Sequence, residues 1–489
     1  MQKSASSRLG SRCVSYVLSC LALISFFCLD CRRAAEPPPG SKYNLLVISI
    51  DTLRADHLKC YGYDRDTSPH LDQLAREGVL FENLTAAASW TVPSHMSMFT
   101  ALYPSVHGVV NFTRQLGKGV PTLAGCLAEN GYLTAAFVTG PILNHFFGFN
   151  RGFQSYDDYS VNRAFGDVAS LSRMRDAYDK QQLSWGSTVL DQVVTNPVIT
   201  NLATKWLTAH SQSNENFFLF LHYWDCHYDY KPPPPFDRKF DPDYKGKETG
   251  RDISQREADI VKYISAMDLA HMVALYDGDI AETDEEVGKI LQLLQHLRLS
   301  EKTLVIVLSD HGEAFLEHGK IRHGNSLYEE ALHAPLIMRL PGVIPAGKRI
   351  VGNVSHVDLM PTVLGLLKIE GPLQTQGVDL SPVILGDKPV PKRLIYSELT
   401  FTGFNYRAVR WGNLKLLGTM GTLNGAQLEE LVGGRERVIA DWTGLPKACP
   451  RDVLLAFLEG PPAIPGVTPG KAEPDTGLLE RLRSLGYTQ

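Results

Sequence analysis

The sequence predicts an α/β fold: a mostly parallel sheet covered by helices on both faces, with a smaller C-terminal α+β subdomain. Three observations carry this. Apolar runs at 44–50, 217–223 and 303–308 read as short buried strands, each with an acidic residue just beyond it. Segments of helical periodicity alternate with these runs, which is the pattern of a parallel sheet. From about residue 393 the texture changes to short strands. At about 150 residues per domain, 489 residues suit two to four domains, or one large α/β domain with additions.

The elements follow in order. Residues 44–50 (NLLVISI) form a strand ending at Asp51. Ser68-Pro69 supplies an N-cap and a first-turn proline to a helix over 70–77, with Leu71, Leu74 and Ala75 on one face and Gly78 as its stop. A helix over 122–130 ends at Gly131, and a strand follows at 133–138. Residues 217–223 (FFLFLHY) form a buried strand leading to Asp225. An amphipathic helix spans 277–297 on Ile280, Val287, Ile290, Leu291 and Leu294. Residues 303–308 (TLVIVL) run into Ser309-Asp310-His311. The expected organisation is a leader and spacer over 1–40, a catalytic domain over 41–390 with an irregular insertion at 155–262, and a subdomain over 391–489. That subdomain carries the strands LIYSEL, YRAVRW and LKLLG, a Pro/Gly-rich stretch at 460–477 and a terminal helix (LLERLRSLG).

Composition excludes several classes. With 44% hydrophobic and 21% charged residues the chain is globular rather than disordered or fibrous. A net charge of −5 supplies no basic excess, so no nucleic-acid partner is expected. Cys13, Cys20, Cys28 and Cys31 crowd the N-terminus, and Cys60, Cys126, Cys226 and Cys449 are scattered without a C-x-x-C, so neither a disulfide scaffold nor a zinc finger is implied. Lys3, Arg8 and Arg12 precede a charge-free apolar run over 13–29, with Pro37-Pro38-Pro39-Gly40 as spacer. A signal peptide, a signal anchor and a lipoprotein signal at Cys28 or Cys31 all fit. Each implies export to a periplasmic, extracellular or lumenal compartment, with membrane anchoring by 13–29 where the run is retained.

The chemistry gathers beyond the strand ends, where open α/β sheets bind ligands. One Asp after a strand is commonly a turn residue or helix cap. Here there are three such ends: Asp51, Asp225 with His227, and Asp310-His311. Carboxylates with imidazole form the ligand set of a divalent metal, and imidazole favours Zn²⁺ or Mn²⁺ over Ca²⁺. In SWTVPSHMSMFTA (89–101), Pro93 marks a first helical turn and places Thr91 at the helix N-terminus. Backbone N–H groups there stabilise an alkoxide or a bound oxyanion. A threonine at this place is equally suited to capping the helix.

Six segments in order resemble the sulfatase-like branch of the alkaline phosphatase superfamily. They are LVISIDTLRADHLKCY (46–61), WTVPSHMSMFTALYPSVHG (90–108), LHYWDCH (221–227), SDHG (309–312), SLYEEALHAP (326–335) and VDLMPTVL (357–364), with LRSLGY near the C-terminus. The resemblance implies an alkaline-phosphatase-like catalytic domain, one or two divalent metal ions, and cleavage of small-molecule, glycan or lipid sulfate or phosphate esters. It assigns Asp51, Asp310 and His311 as metal ligands, with Thr91 as nucleophile and ligand and Asp225 as a further candidate ligand. It assigns His227 to the oxyanion or leaving group and Asn111 to the oxyanion. His323 and His356 are further candidates for a second metal or substrate.

The departures redirect the chemistry. True sulfatases carry Cys or Ser in C/S-x-P-x-R, oxidised to formylglycine. Here Thr91 replaces that residue and His95 replaces the arginine. Thr52 stands for the second Asp of the family's D-D pair, and His311 for its later Asn. Threonine cannot supply the aldehyde, so the pattern implies a metal-bound Thr alkoxide acting on phosphate or phosphonate esters ahead of sulfate. The catalytic set is then Thr91, His227, Asn111, His95 and His323. A phosphoethanolamine-type transferase and an inactive binding protein are the alternative readings. Asn83-Leu84-Thr85, Asn111-Phe112-Thr113 and Asn353-Val354-Ser355 are glycosylation sequons, and a glycan on Asn111 would contradict its oxyanion role.

Overall fold

Strand β1 (Asn44–Ile50) is buried along its whole length, and this decides the layering. In the computed structural model its alternate residues enter two separate cores: Leu45 and Val47 face one, Leu46, Ile48 and Ile50 the other. Each fully buried aliphatic side chain contributes about 1.5–3 kcal/mol, so both faces must be covered. The structure describes residues 43–139, 142–158, 195–372, 374–401, 403–432, 435–441, 443–444, 449–468 and 470–471. The apolar run at 13–29 and the terminal LLERLRSLG segment lie outside these. No helix among the described residues is long and apolar enough to cross a membrane.

Nine strands form the main sheet among the described residues. After β1 come β2 (Val79–Thr85), β3 (Leu133–Phe137), β4 (Ser155–Asp157), β5 (Phe217–Tyr223), β6 (Thr303–Ser309), β7 (His333–Ala334), β8 (Leu336–Arg339) and β9 (Lys348–Ser355). The spatial order is β7-β2-β8-β6-β1-β5-β3-β4, with β9 pairing parallel to β2. Only β7 and β8 run antiparallel to their neighbours. Helices α1 (Pro69–Glu77), α4 (Asn196–His210) and α5 (Ala266–His296) cover one face, and α2 (Thr91–Thr100), α3 (Leu123–Glu129) and α6 (Leu359–Leu366) the other.

A second sheet follows, five antiparallel strands in sequence order: β10 (Ile395–Phe401), β11 (Phe404–Trp411), β12 (Leu414–Thr419), β13 (Gln427–Val432) and β14 (Arg435–Ala440). It packs its own core with helix α7 (Arg451–Glu459) through Val409, Leu416, Leu428, Val453 and Phe457. This is the expected α/β architecture with a C-terminal α+β portion.

Three expectations need correction. The helix expected from 277 begins at Ala266, because the Ser265 side chain accepts from Asp268 N and caps it. Ser68 occupies the N-cap of α1 but makes no side-chain cap bond. Asp284 of α5 accepts from His70 N at 2.9 Å and Leu71 N at 2.8 Å instead. The span 155–262, expected to be irregular apart from the strand at 217–223, also contains β4, α4 and most of a further helix, Ile253–Tyr263.

Candidate active site

The register of the three central strands sets the site. Ile50 lies opposite Tyr223 on one side and Ser309 on the other, so β1, β5 and β6 end together. Asp51 and Asp310 therefore leave the sheet side by side, and Asp51 N donates to Tyr223 O at 2.9 Å. Asp51, Asp310 and His311 present ligand atoms within 4.8 Å of one another, all fully buried. Gly312 lets the Glu330 backbone pack directly against the chain here, since a Cβ would stand 2.0 Å from Glu330 O.

Thr91 enters from α2. The N-cap position belongs to Trp90, and no side chain caps this helix, so Thr91 is its first residue and not its cap. Its Oγ1 donates to Asp51 Oδ2 at 3.4 Å and lies 3.3 Å from His311 Nε2. His311 Nε2 is also 3.3 Å from Asp310 Oδ2 and 3.8 Å from Asp51 Oδ1. His311 Nδ1 faces Gly312 O at 2.9 Å, which gives Nδ1 the proton and leaves the Nε2 lone pair for the cluster.

The electrostatics are those of a cation site. Asp310 Oδ1 accepts from His311 N and Thr52 N. Asp310 Oδ2 and Asp51 Oδ1 are buried and accept no hydrogen bond. Burial pushes Asp51 up to about 7 against the opposing pull of His311 and the Thr91 hydroxyl. Burial, then the Asp51 charge, raises Asp310 as well. Adjacent buried carboxylates with free oxygens and an imidazole lone pair fit a divalent metal.

The remaining predicted residues divide. His95, one turn along α2, is wedged between Ser49 Oγ (2.8 Å) and Thr91 O (3.0 Å), 3.4 Å from Asp310 Oδ2. Burial lowers it to about 3, so it buttresses the cluster as a neutral ring. His227 stacks on Trp224 at 4.0 Å, and its ring lies 4.8 Å from that of His323. The His323 ring is 4.5 Å from that of His311, and its Nδ1 faces Glu313 Oε1 at 3.1 Å. Burial holds both His227 and His323 well below the ordinary range. His356 is structural, its Nε2 facing Ser309 O and its Nδ1 facing Ser94 Oγ, both at 2.9 Å.

Asp225 and Asn111 are not brought to the cluster by their contacts. Asp225 accepts from Thr195 N, Thr195 Oγ1 and Asn196 N at the start of α4, so the expected metal ligand caps a helix. Asn111 Oδ1 accepts from Thr113 N and Thr113 Oγ1 in a local turn.

Two buried residues were not anticipated. His222 of β5 places Nε2 3.2 Å from Asp51 Oδ2, and Glu313 holds His323. A lone histidine within FFLFLHY was the available signal for the first.

Comparison with known proteins agrees with this geometry. A family model described as Sulfatase matches residues 43–369. The chain is similar to an uncharacterized sulfatase, YidJ, of Escherichia coli (strain K12), 24% identical over 350 residues, covering 67% of this chain and 68% of that one. It is 21% identical over 415 residues to N-acetylglucosamine-6-O-sulfatase of Bacteroides thetaiotaomicron, covering 71% and 72%. Among solved structures, the phosphonate monoester hydrolase of Agrobacterium radiobacter shares the fold with a TM-score of 0.66 at 20% identity, over 86% of this chain and 94% of that one. A sulfatase match across two-thirds of the sequence, on a sheet that ends in Asp51, Asp310 and His311, shows that this chain belongs to the sulfatase family of ester-hydrolysing enzymes.

Proposed function

We propose that the chain hydrolyses phosphate or phosphonate esters ahead of sulfate esters, with Thr91 as nucleophile and a divalent metal, Zn²⁺ or Mn²⁺, held by Asp51, Asp310, His311 and Thr91. The observation that carries this is the Thr91 hydroxyl between Asp51 and His311 at the N-terminus of α2. When bound, the cation neutralises the two carboxylates and stabilises charge developing on the ester's non-bridging oxygens.

The chain's own groups do the rest. Thr91 Oγ1 forms a bond to phosphorus or sulfur as the bond to the leaving oxygen breaks. Its proton leaves along the hydrogen bond it makes to Asp51 Oδ2. The backbone N–H groups of Thr91 and Val92, ahead of Pro93 at the N-terminus of α2, favour negative charge there. His323 or His227 hands a proton to the departing oxygen, which requires the imidazolium that burial disfavours, so the charge of the bound anionic ester must first draw a proton onto the ring. Water then cleaves the Thr91 ester. A threonine ester has no elimination route like that of a hydrated aldehyde, so this second step takes place at phosphorus or sulfur, which favours phosphorus chemistry. The basic and apolar residues before residue 30 support export of the chain.

The test loads the enzyme in turn with Zn²⁺, Mn²⁺ and Ca²⁺. It is assayed on an aryl sulfate, a phosphate monoester, a phosphodiester and a phosphonate monoester, with Thr91→Ala beside it. Turnover of a phosphorus ester with Zn²⁺ or Mn²⁺ is expected, falling by about 10³-fold or more in Thr91→Ala. Dominant sulfate turnover overturns the ranking. Turnover untouched by Thr91→Ala overturns the nucleophile. Silence on all four with metal bound favours group transfer or binding.

A further inference from the structure

Phe401 ends β10 and lies beyond the matched segment 43–369. Its ring bears on both stretches that carry the chemistry proposed above. It stacks on Trp90, the residue before Thr91, with ring centroids 4.4 Å apart and planes 25° apart. It also lies over Gly324, the residue after His323. A Cβ on that glycine would stand 3.8 Å from Phe401 Cδ1 and 3.6 Å from Trp90 Cβ, ordinary van der Waals contact with both. Gly324 N donates to Ser89 O at 2.8 Å, which ties the two stretches together.

The surroundings of this ring are aromatic. Phe112 sets its own ring 5.5 Å from both Trp90 and Phe401, edge-on to each. Trp90 and Phe112 are 1% and 6% exposed, whereas Phe401 is only half-buried, so it is the member of the three that presents surface. Phe404 stands opposite it in the β10–β11 register and is half-buried too. Aromatic surface of this kind binds another ring by offset or edge-to-face stacking and gives a small polar group nothing comparable.

We propose that Phe401 is a specificity-determining residue that packs against the organic group of the bound ester, so that the chain favours esters carrying an aromatic group over those carrying a small one. This rests on the ester site proposed above. The reacting centre is held at Thr91 among fully buried residues, so the organic group extends outward past the residues that flank Thr91 and His323. Phe401 touches one such residue on each side.

Calorimetry on the full chain loaded with Zn²⁺ tests this with phenylphosphonate and methylphosphonate. The two share an anionic head and differ only in the organic group. The unaltered chain is expected to bind phenylphosphonate about 10-fold more tightly, and Phe401→Ala to bring the two within about 2-fold of each other. Phe401→Leu, which keeps apolar bulk against Trp90, should give an intermediate ratio. The ratio is the readout because a ring that merely held Trp90 in place would weaken both anions alike. Equal affinities in the unaltered chain overturn the proposal and leave the ester site intact. A phenyl preference that persists in Phe401→Ala does the same. A chain that holds Zn²⁺ yet binds neither anion overturns the underlying reading of the site. Should Phe401→Ala not fold, the ratios in the unaltered chain and in Phe401→Leu decide the matter.

Discussion

Around Lys415 in the second sheet, one buried glutamate, Glu429, and two partly buried ones, Glu329 and Glu436, surround their cation. Lys415 Nζ lies 3.3 Å from both Glu329 and Glu429 and pairs with Glu436, while Arg410 pairs with Glu329. Around Thr91 two aspartates are completely buried, and no Lys or Arg among the described residues pairs with either. The first cluster brings its own positive charge, and Glu329 is held well below the usual range although burial opposes this. The second drives Asp51 and Asp310 upward. Geometry alone therefore does not identify a metal site. His318, Glu330 and Glu436 also converge, but Glu436 already has Lys415 beside it. The difference lies in whether the protein supplies the counter-charge.

The contrast can be broken most severely at Lys415. Lys415→Met leaves Glu329, Glu429 and Glu436 without their amine, and should cost about 3–5 kcal/mol by chemical denaturation. A slightly smaller effect is expected from pH. In metal-free protein Asp51 holds its proton to about 7 when folded and to 3.8 when unfolded. The folded state therefore binds more protons, and stability falls as pH rises from about 4 to 7, by on the order of 3–4 kcal/mol. Glu329, depressed when folded, acts oppositely: its stabilisation is present above about 4.5 and is lost as pH falls below it. Midpoints across pH, with and without Zn²⁺, should show the Asp51 decline vanish on loading.

Zn²⁺ at a hundred times its Kd should add about 2.7 kcal/mol, and nothing in Asp310→Asn. In metal-free protein the same Asp310→Asn should stabilise by about 1–2 kcal/mol, since it removes an uncompensated buried charge. The smallest effect belongs to the exposed rim of the Lys415 network. Arg437→Ala, which loses only its pair with Glu430, should shift stability by less than about 0.5 kcal/mol.

What could be read in advance follows from how local the determinants are. β1 and β5 were legible to the residue, because unbroken apolar runs can lie only in the middle of a sheet. β13 and β14 were not. Their alternation of Glu, Arg and Leu becomes strand-like only when β13 pairs with β12 and β14 with β13, and Glu429 is buried with Lys415 of β12 beside it. The first eleven residues of α5 were hidden by Asp268 and His271, whose partners Tyr244 and Asp241 are distant in sequence. In the site, Asp51, Thr91, Asp310 and His311 carry their chemistry in contiguous motifs. Asp225 and Asn111 looked equally chemical, yet their oxygens went to nearby backbone amides. His222 hid for the opposite reason, as one polar residue in a core strand.

One contact ties the two sheets at their most sensitive point. Trp90, immediately before Thr91, stacks on Phe401 at the end of β10 with ring centroids 4.4 Å apart. Beside it Glu398 N donates to Ala87 O and Ser397 Oγ to Ala86 O. The stretch that delivers the nucleophile is thus clamped by a strand that lies outside the matched family segment, residues 43–369. Divergence in that C-terminal sheet is not free. A change that displaces Phe401 displaces Trp90 with it, and with Trp90 the residue that follows, so the C-terminal sheet and the nucleophile's helix cannot vary independently.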